Sequence, residues 1–397
     1  MEYLRQLFYE KYAATQLKSI RNFMDFVDWS NRFIGIKGSR GVGKTTLLLQ
    51  YIKKNFKPNK EVLYISLDNL YFTENSLYNL ASQFYKKGGQ LLAVDEVHRY
   101  QNWSREIKNI YDDMPDLKLI LTGSSLLHLH KAKHDLSRRV VMYNMPGLSF
   151  REYLQFETEK KLPVYSLNEI VSDHVSSAME VVENLKPLAY FDSYMNHGYY
   201  PFYLENVKSF HNKLSESILT VLEVDIPQFE YIQTAGIVYL KKLLKIMSRS
   251  VPFKPNMKSL SSRTGISLNT MKTYLQYLTE ARLLTLLYFN PVGINSLNKP
   301  EKIFLENTNL MYNLSEGIPE KGNLRETFFL NQLAYQHRLV ASKTSDFKVD
   351  DKYVFEIGGK SKQQKQIRNT DNAFIVKDDI EIGSENIIPL WLFGFLY

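Results

Sequence analysis

Gly38-Ser39-Arg40-Gly41-Val42-Gly43-Lys44-Thr45 constrains the fold of this chain more than any other stretch. It satisfies the G-x-x-x-x-G-K-[ST] pattern, follows the strand-like run Phe33 to Lys37 and opens an amphipathic segment near Lys44. A strand that feeds a glycine-rich turn and then a helix is the context in which this pattern has a mechanism. The glycines let the backbone curl its N–H groups around an anion, and the positive end of the helix dipole points into the same pocket. Gly38, Ser39, Arg40, Gly41, Val42, Gly43, Lys44, Thr45 and Thr46 are the expected phosphate cradle. Lys44 is expected to reach the β and γ phosphates of a nucleotide, with the Thr45 hydroxyl on Mg2+.

Such a cradle calls for an acid to hold the metal and a group to orient water. Leu91-Leu92-Ala93-Val94 reads as a strand buried on both faces. Asp95 leaves its end, where a carboxylate is costly unless it meets a cation. Asp95 is thus the expected metal acid, and Glu96 the residue that polarises the attacking water. The next strand-like run, Leu117 to Leu121, leads into Thr122-Gly123-Ser124-Ser125 at the carboxyl edge where ligands collect in open α/β sheets. One of Thr122, Ser124 and Ser125 is expected to sense the γ-phosphate, Ser124 being counted with the cradle; plain turn chemistry is the other reading. Arg138 and Arg139 precede the run Val140 to Tyr143. They are candidates to stabilise the transferring charge in their own subunit or a neighbour, the alternative being a solvated basic turn.

These runs, with Val62 to Leu67, alternate with helical stretches and predict an α/β domain with a buried parallel sheet over residues 1–148. From about Ser149 the pattern turns helical, giving a lid or linker over 149–236. A compact helical unit is expected over 237–295, and a C-terminal α/β domain over 296–397, with a helix near Glu326 and strands near Val354 and Ile387.

Composition sets outer limits. With 397 residues, 44% apolar and 13% aromatic, the chain suits two or three folded domains and no long disordered tract. Fifty basic against forty-two acidic residues leave +8, a mild excess compatible with nucleic acid or an acidic partner. The absence of cysteine excludes disulfides, thiolate nucleophiles and Cys-ligated zinc. Glu2, Arg5, Glu10 and Lys11 interrupt the N-terminal apolar residues, and no run of eighteen apolar residues occurs. A cytoplasmic protein with no membrane span is the expectation, and a membrane-transporter ATPase is disfavoured.

Glu96 directly after Asp95, with a Thr122-bearing strand before the last strand, resembles the AAA-type branch of P-loop ATPases. More narrowly, Gly38 to Thr45, Asp95-Glu96-Val97-His98, Leu121 to Ser125 and Pro146-Gly147-Leu148-Ser149-Phe150-Arg151-Glu152 resemble bacterial and archaeal AAA ATPases fused to a C-terminal domain of unknown function. The resemblance spans essentially the whole chain. It implies that Lys44, Thr45, Asp95 and Glu96 bind MgATP and support its hydrolysis.

Leu260 to Leu275 reads as helix, glycine-containing turn, helix, the layout of a helix-turn-helix. Leu268, Met271, Leu275 and Leu278 are expected to face the core, with Asn269, Thr270, Lys272 and Thr273 outward, and Leu283 to Phe289 as a wing strand. Lys241, Lys242, Lys245, Arg249, Lys254, Lys258 and Arg263 make DNA a candidate partner through residues 241–275. A protein-docking or ATPase-coupling winged helix is the competing reading. In the last segment, Glu326, Asp346 and Glu356 with Lys360 resemble the restriction-endonuclease-like nuclease core. Gly358 occupies the usual E-x-K lysine position, so Lys360 or Lys362 would have to substitute, and a nuclease-derived fold with lost activity is the expectation.

The leading functional expectation is a Mg2+-dependent AAA-type ATPase that couples nucleotide state to DNA or a protein partner, as a monomer or homo-oligomer. A non-catalytic ATP-gated DNA-binding regulator and a nucleic-acid-cleaving defence or mobile-element effector are the alternatives.

Overall fold

Five short strands alternate with helices over the first 147 residues and lie side by side in one parallel sheet. The computed structural model describes residues 1–123, 136, 138–227, 232, 234–249, 252, 254–289, 299–360 and 370–397. Its two units are Met1–Gly147 and Leu148–Tyr397.

In the first unit the elements run α1 (Glu2–Ala14), α2 (Phe23–Phe26), β1 (Phe33–Lys37), α3 (Lys44–Asn55), β2 (Val62–Ser66), α4 (Leu77–Lys86), β3 (Leu91–Asp95), α5 (Trp103–Asp113), β4 (Lys118–Gly123) and β5 (Val141–Asn144). The strand order is β2-β3-β4-β1-β5, with every pair parallel. Each strand lies within a residue or two of its sequence expectation. All five residues of β3 are buried, as a central strand covered on both faces requires. β5 differs: it is an edge strand with Val141 and Met142 exposed, because only β1 pairs with it.

α3 lays Leu47, Leu48, Tyr51 and Ile52 into the core, an i, i+1, i+4, i+5 stripe that fixes which way its first turn points. Beneath the β1–α3 turn, the buried guanidinium of Arg21 donates to Val42 O at 3.0 Å, Pro146 O at 3.1 Å and Gly147 O at 2.9 Å. Gly38 lies so close to the segment after β5 that an added Cβ would fall 2.3 Å from Met145 O. The turn is thereby clamped to its own sheet.

The second unit is helical up to residue 280. Its helices are Phe150–Thr158, Leu167–Val182, Leu188–Ser193, Phe210–Thr220, Thr234–Ser248, Met257–Thr264 and Leu268–Glu280. Ser149 and Ser166 open two of them with capping boxes closed by Glu152 and Glu169. β6 (Leu284–Leu287) then pairs antiparallel with β7 (Lys302–Leu305). After helices Thr308–Leu314 and Lys321–Leu333 comes a mixed sheet in the order β12-β11-β10-β9-β8, built from β8 (Leu339–Ala341), β9 (Phe347–Val349), β10 (Tyr353–Gly358), β11 (Ala373–Lys377) and β12 (Ile387–Pro389).

The segments 149–236, 237–295 and 296–397 share one core in this unit. Helix Lys321–Leu333 explains why, because it buries aromatic rings on two sides. Phe328 packs edge-on against Phe191 at 4.9 Å and Tyr194 at 5.9 Å, while Phe329 meets Phe347, Phe355 and Phe393 of the sheet side. Asn309 adds polar ties, donating to Tyr194 O at 3.0 Å and Met195 O at 2.9 Å. The β6–β7 pair itself straddles the expected boundary at residue 295.

Candidate nucleotide site

The β1–α3 turn is built from positions that only glycine adopts without strain. Gly41 and Gly43 have φ of 86° and 93°, in the left-handed region. Gly43 is the N-cap of α3 and brings no side-chain cap, and the Leu47 N–H reaches Gly43 O at 2.9 Å. The N–H groups of the helix before Leu47 therefore have no intrahelical partner and form the positive end of the dipole. The Lys44 side chain folds back over the turn, its Nζ donating to Gly38 O at 3.0 Å and Ser39 O at 2.8 Å. Ser39 and Val42 are buried, Arg40 is half-buried, and Thr46 is exposed on the first turn of α3.

Asp95, 2% exposed at the end of β3, is held by three hydroxyls. Thr45 Oγ1 and Tyr64 OH each donate to its Oδ2 at 2.8 Å, and Thr122 Oγ1 donates to its Oδ1. Burial, reinforced by the Asp95 carboxylate, pushes the Tyr64 phenol far above its ordinary pKa, so it remains a donor. Glu96 follows in a left-handed conformation, φ 54° and ψ 42°, which turns its side chain away from the strand's alternation. Its backbone N–H donates to Thr122 Oγ1 at 3.3 Å, and its Oε2 lies 3.3 Å from Nε2 of the buried His98. Burial raises the Glu96 pKa above the ordinary carboxylate value; Lys44 opposes that, Asp95 adds to it, and Arg40 and Arg99 oppose it further.

The donor set suits a nucleotide with a hard cation. An uncapped helix start, a glycine turn and an ammonium offer positive partners to phosphate oxygens. The Thr45 hydroxyl and the Asp95 carboxylate supply oxygen ligands of the kind Mg2+ takes alongside phosphates and water. Lys44, Thr45, Asp95 and Glu96, spread over 53 positions of sequence, come together at the carboxyl edge of one sheet.

A family model described as an AAA domain matches residues 30–154, the stretch that carries the turn, Asp95-Glu96 and all five strands of this sheet. Residues 30–154 carry an AAA domain. A second model, of a domain of unknown function (DUF8612), matches residues 188–321 of the other unit. Among solved structures, a Walker-type ATPase of Pyrococcus abyssi is similar at 13% identity and a TM-score of 0.45, over 76% of this chain and 97% of that one. AMPPCP-bound DnaA from Aquifex aeolicus aligns at 14% identity and 0.27, over 70% and 88%. A DNA replication initiation factor aligns at 15% and 0.28, over 70% and 95%. No curated protein matches the chain. The assignment rests on the family model and the sheet.

Within the AAA-type domain, Arg138 and Arg139 do not join the site. Lys37 and Asn144 are level at the carboxyl edge, and both arginines precede Val141, which lies about 10 Å back along β5 at ~3.3 Å per residue. Arg139 instead forms a two-pronged pair with Asp112 of α5, at 3.0 and 3.1 Å. A parallel strand starts at the edge opposite the turn, so a role in their own subunit is not supported. Ser124 and Ser125 lie outside the described residues. Thr122, at the same strand end, sits on Asp95. Tyr64 and Arg21 belong to no motif of the sequence, and His98 figures there only as the last residue of Asp95-Glu96-Val97-His98.

The acidic set in the second unit gathers around a different lysine from the expected one. Lys302 Nζ of β7 lies 2.9 Å from Glu326 Oε2 and 3.4 Å from Asp346 Oδ1, with all three side chains 13–19% exposed. Asp346 Oδ2 accepts from Ile357 N at 2.9 Å, and Glu356 is buried on the neighbouring β10. Burial and then Asp346 raise the Glu326 pKa, with Lys302 opposing and Glu356 adding. Burial pulls the Lys302 pKa down, but Glu326 and Asp346 more than offset it and leave it above the ordinary lysine value. Lys360 is exposed two residues past the end of β10, and Lys362 lies outside the described residues. The physical reason is that Lys302 already neutralises the carboxylates. Among the described residues no group of three or more His, Asp and Glu side chains is arranged to hold a metal ion.

Helices Met257–Thr264 and Leu268–Glu280 flank Gly265 (φ 72°), which ends the first; Ser267 caps the second by accepting from Thr270 N. Met271, Leu275 and Leu278 are buried, but Leu268 is 40% exposed, because the first residue of the helix projects past the core face. Asn269 and Lys272 are exposed, Thr270 and Thr273 half-buried. Part of the basic surface is already paired: Lys241 with Glu223, and Lys245 and Arg249 with Glu316 at 3.3 and 2.5 Å. Lys242, Lys254, Lys258 and Arg263 are exposed. Among the described residues no helix is long and apolar enough to cross a membrane.

Proposed function

We propose that this chain is a Mg2+-dependent ATPase whose turnover is carried out by Lys44, Thr45, Asp95 and Glu96. The N–H groups of Gly38 to Thr46 bind the phosphates and Lys44 sets the charge at the β and γ positions. Thr45 and Asp95 hold Mg2+, which when bound neutralises charge building on the phosphate oxygens. Glu96 orients the attacking water and accepts its proton; a carboxylate with proton affinity raised by burial suits that role near neutral pH. The observation that carries the reading is the Thr45–Asp95 hydrogen bond of 2.8 Å, which joins the turn and the acid at one point. Phosphate release from MgATP by the purified chain, lost in Lys44→Ala, tests it. Comparable release by both proteins excludes it.

A role for nucleotide state at DNA is the second reading, with residues 237–295 acting as a winged helix and the strand within Leu283 to Phe289 as its wing. It is supported by the exposed cations Lys242, Lys254, Lys258, Arg263 and Lys272. Affinity for duplex DNA that falls steeply with salt is expected; tight binding indifferent to salt rejects groove docking. Single-turnover kinetics separates an engine from a regulator that holds ATP as a switch. Arg138 and Arg139 are assigned to a neighbouring copy in a homo-oligomer. For the C-terminal acids we assign a structural ion cluster rather than cleavage, and a Mg2+-dependent nicking assay with Asp346→Ala and Glu356→Ala as controls checks it.

A further inference from the structure

Tyr64 deepens the proposed reading and rests on it. Its ring is 3% exposed on β2, next to β3 in the sheet. The hydroxyl donates to Asp95 Oδ2 at 2.8 Å, the oxygen that also accepts from Thr45 Oγ1. On its far side the phenol oxygen accepts from Lys11 Nζ of α1 at 3.4 Å, and that ammonium lies 4.9 Å from the ring centroid. A phenol has a single proton to give. Here it goes to Asp95, so the chain runs in one direction, from ammonium to phenol to carboxylate.

Such a chain is cooperative, because the ammonium polarises the phenol and strengthens its donation. Thr122 fixes one oxygen of Asp95, and Tyr64 fixes the other, the one that also meets Thr45. The angle at which Oδ2 meets the Thr45 hydroxyl is thus set by a residue outside the turn. Partners that orient a metal ligand tune its affinity for the ion without touching it. We propose that Tyr64, backed by Lys11, is the positioning residue for Asp95, so that the affinity for Mg2+ is set in part from helix α1. The competing account is packing alone: a buried tyrosine fills the space under α1, and its hydroxyl takes the nearest acceptor. Packing alone moves stability and leaves the Mg2+ requirement where it was.

The experiment uses the full chain, with ATP binding followed by calorimetry in EDTA and then at increasing MgCl2. Tyr64→Phe keeps the ring and removes one hydroxyl. Lys11→Met keeps the exposed stem and removes the charge, and it carries the test if Tyr64→Phe folds poorly. Metal-free ATP binding equal to wild type is expected in both. The MgCl2 concentration that half-saturates the tightening is expected to rise about tenfold in Tyr64→Phe, and in the same direction by less in Lys11→Met. An unchanged MgCl2 midpoint in both variants overturns the proposal, as does equal weakening of metal-free ATP. Wild type that fails to bind ATP at all would instead overturn the reading on which the proposal rests.

Discussion

Thr45 Oγ1 donates to Asp95 Oδ2 across 2.8 Å, and this one bond joins the first turn of α3 to the last residue of β3, fifty positions apart in sequence. Each partner alone is ordinary: a threonine early in a helix, an aspartate at a strand end. Their meeting requires α3 to start where β1 stops and β3 to stop at the same edge. Strand direction and order supply both conditions.

Lys44→Ala removes the ammonium that bridges Gly38 O and Ser39 O. Turnover of MgATP is expected to fall by at least about a hundredfold, the scale of losing one preorganised charge partner. Phosphate release under saturating ATP reads it, with circular dichroism confirming the fold. Turnover within a few fold of wild type removes Lys44 from the chemistry.

Glu96→Gln keeps the shape of the side chain beside His98 and removes the proton acceptor. Nucleotide affinity is expected to stay near wild type while turnover drops by roughly 10² or more. Equilibrium binding and single-turnover hydrolysis measured on one preparation separate the two. Matching single-turnover rates would assign the base elsewhere.

Lys302→Met leaves Glu326 and Asp346 facing each other without their cation. The second unit should lose about 2 kcal/mol, below the 3–5 kcal/mol of a fully buried pair because the cluster keeps some water contact. Adding Glu326→Gln removes one of the stranded charges and should restore part of the loss, as read by urea denaturation. A double variant no more stable than Lys302→Met would show that the charges do not couple.

His197 and His211 share one acceptor, Asn196 Oδ1, at 3.4 and 3.0 Å. Burial depresses both pKa values below the ordinary 6.5; for His197 the nearby Glu157 opposes this and His211 adds to it. The folded state therefore binds fewer protons than the unfolded one as pH drops below that value. The stability linked to these rings is present above pH 6.5 and is lost as pH falls through the folded values. Melting temperature should decline on acidification from neutral pH, and the decline should be shallower in His211→Gln. Parallel slopes in the two proteins would clear the ring of this role.

How far the sequence disclosed this molecule depends on how local each signal is. The turn at Gly38 to Thr45, the apolar β3 and the acids at its end are local, and the strands fall where the runs place them. Tyr64 and Thr122 reach Asp95 only because β2 and β4 flank β3, a neighbour relation that no periodicity encodes. Lys302 is hidden for the same reason: it stands 24 positions before Glu326 and meets it only in the folded chain, whereas Lys360 is close to Glu356 only along the sequence. For Arg138 and Arg139 the signal is local, because residues just before a strand of a parallel sheet sit at its amino edge, opposite the turn.

The central claim is that the β1–α3 turn, Lys44 and the Thr45–Asp95 pair bind a magnesium nucleotide. Calorimetric titration of the folded wild-type chain with MgCl2 and a slowly hydrolysed ATP analogue tests it most directly. Saturable heat at one site per chain, strengthened by Mg2+ and absent in Lys44→Ala, is the result predicted. A flat titration with folded wild type, or the same heat from Lys44→Ala, would contradict it.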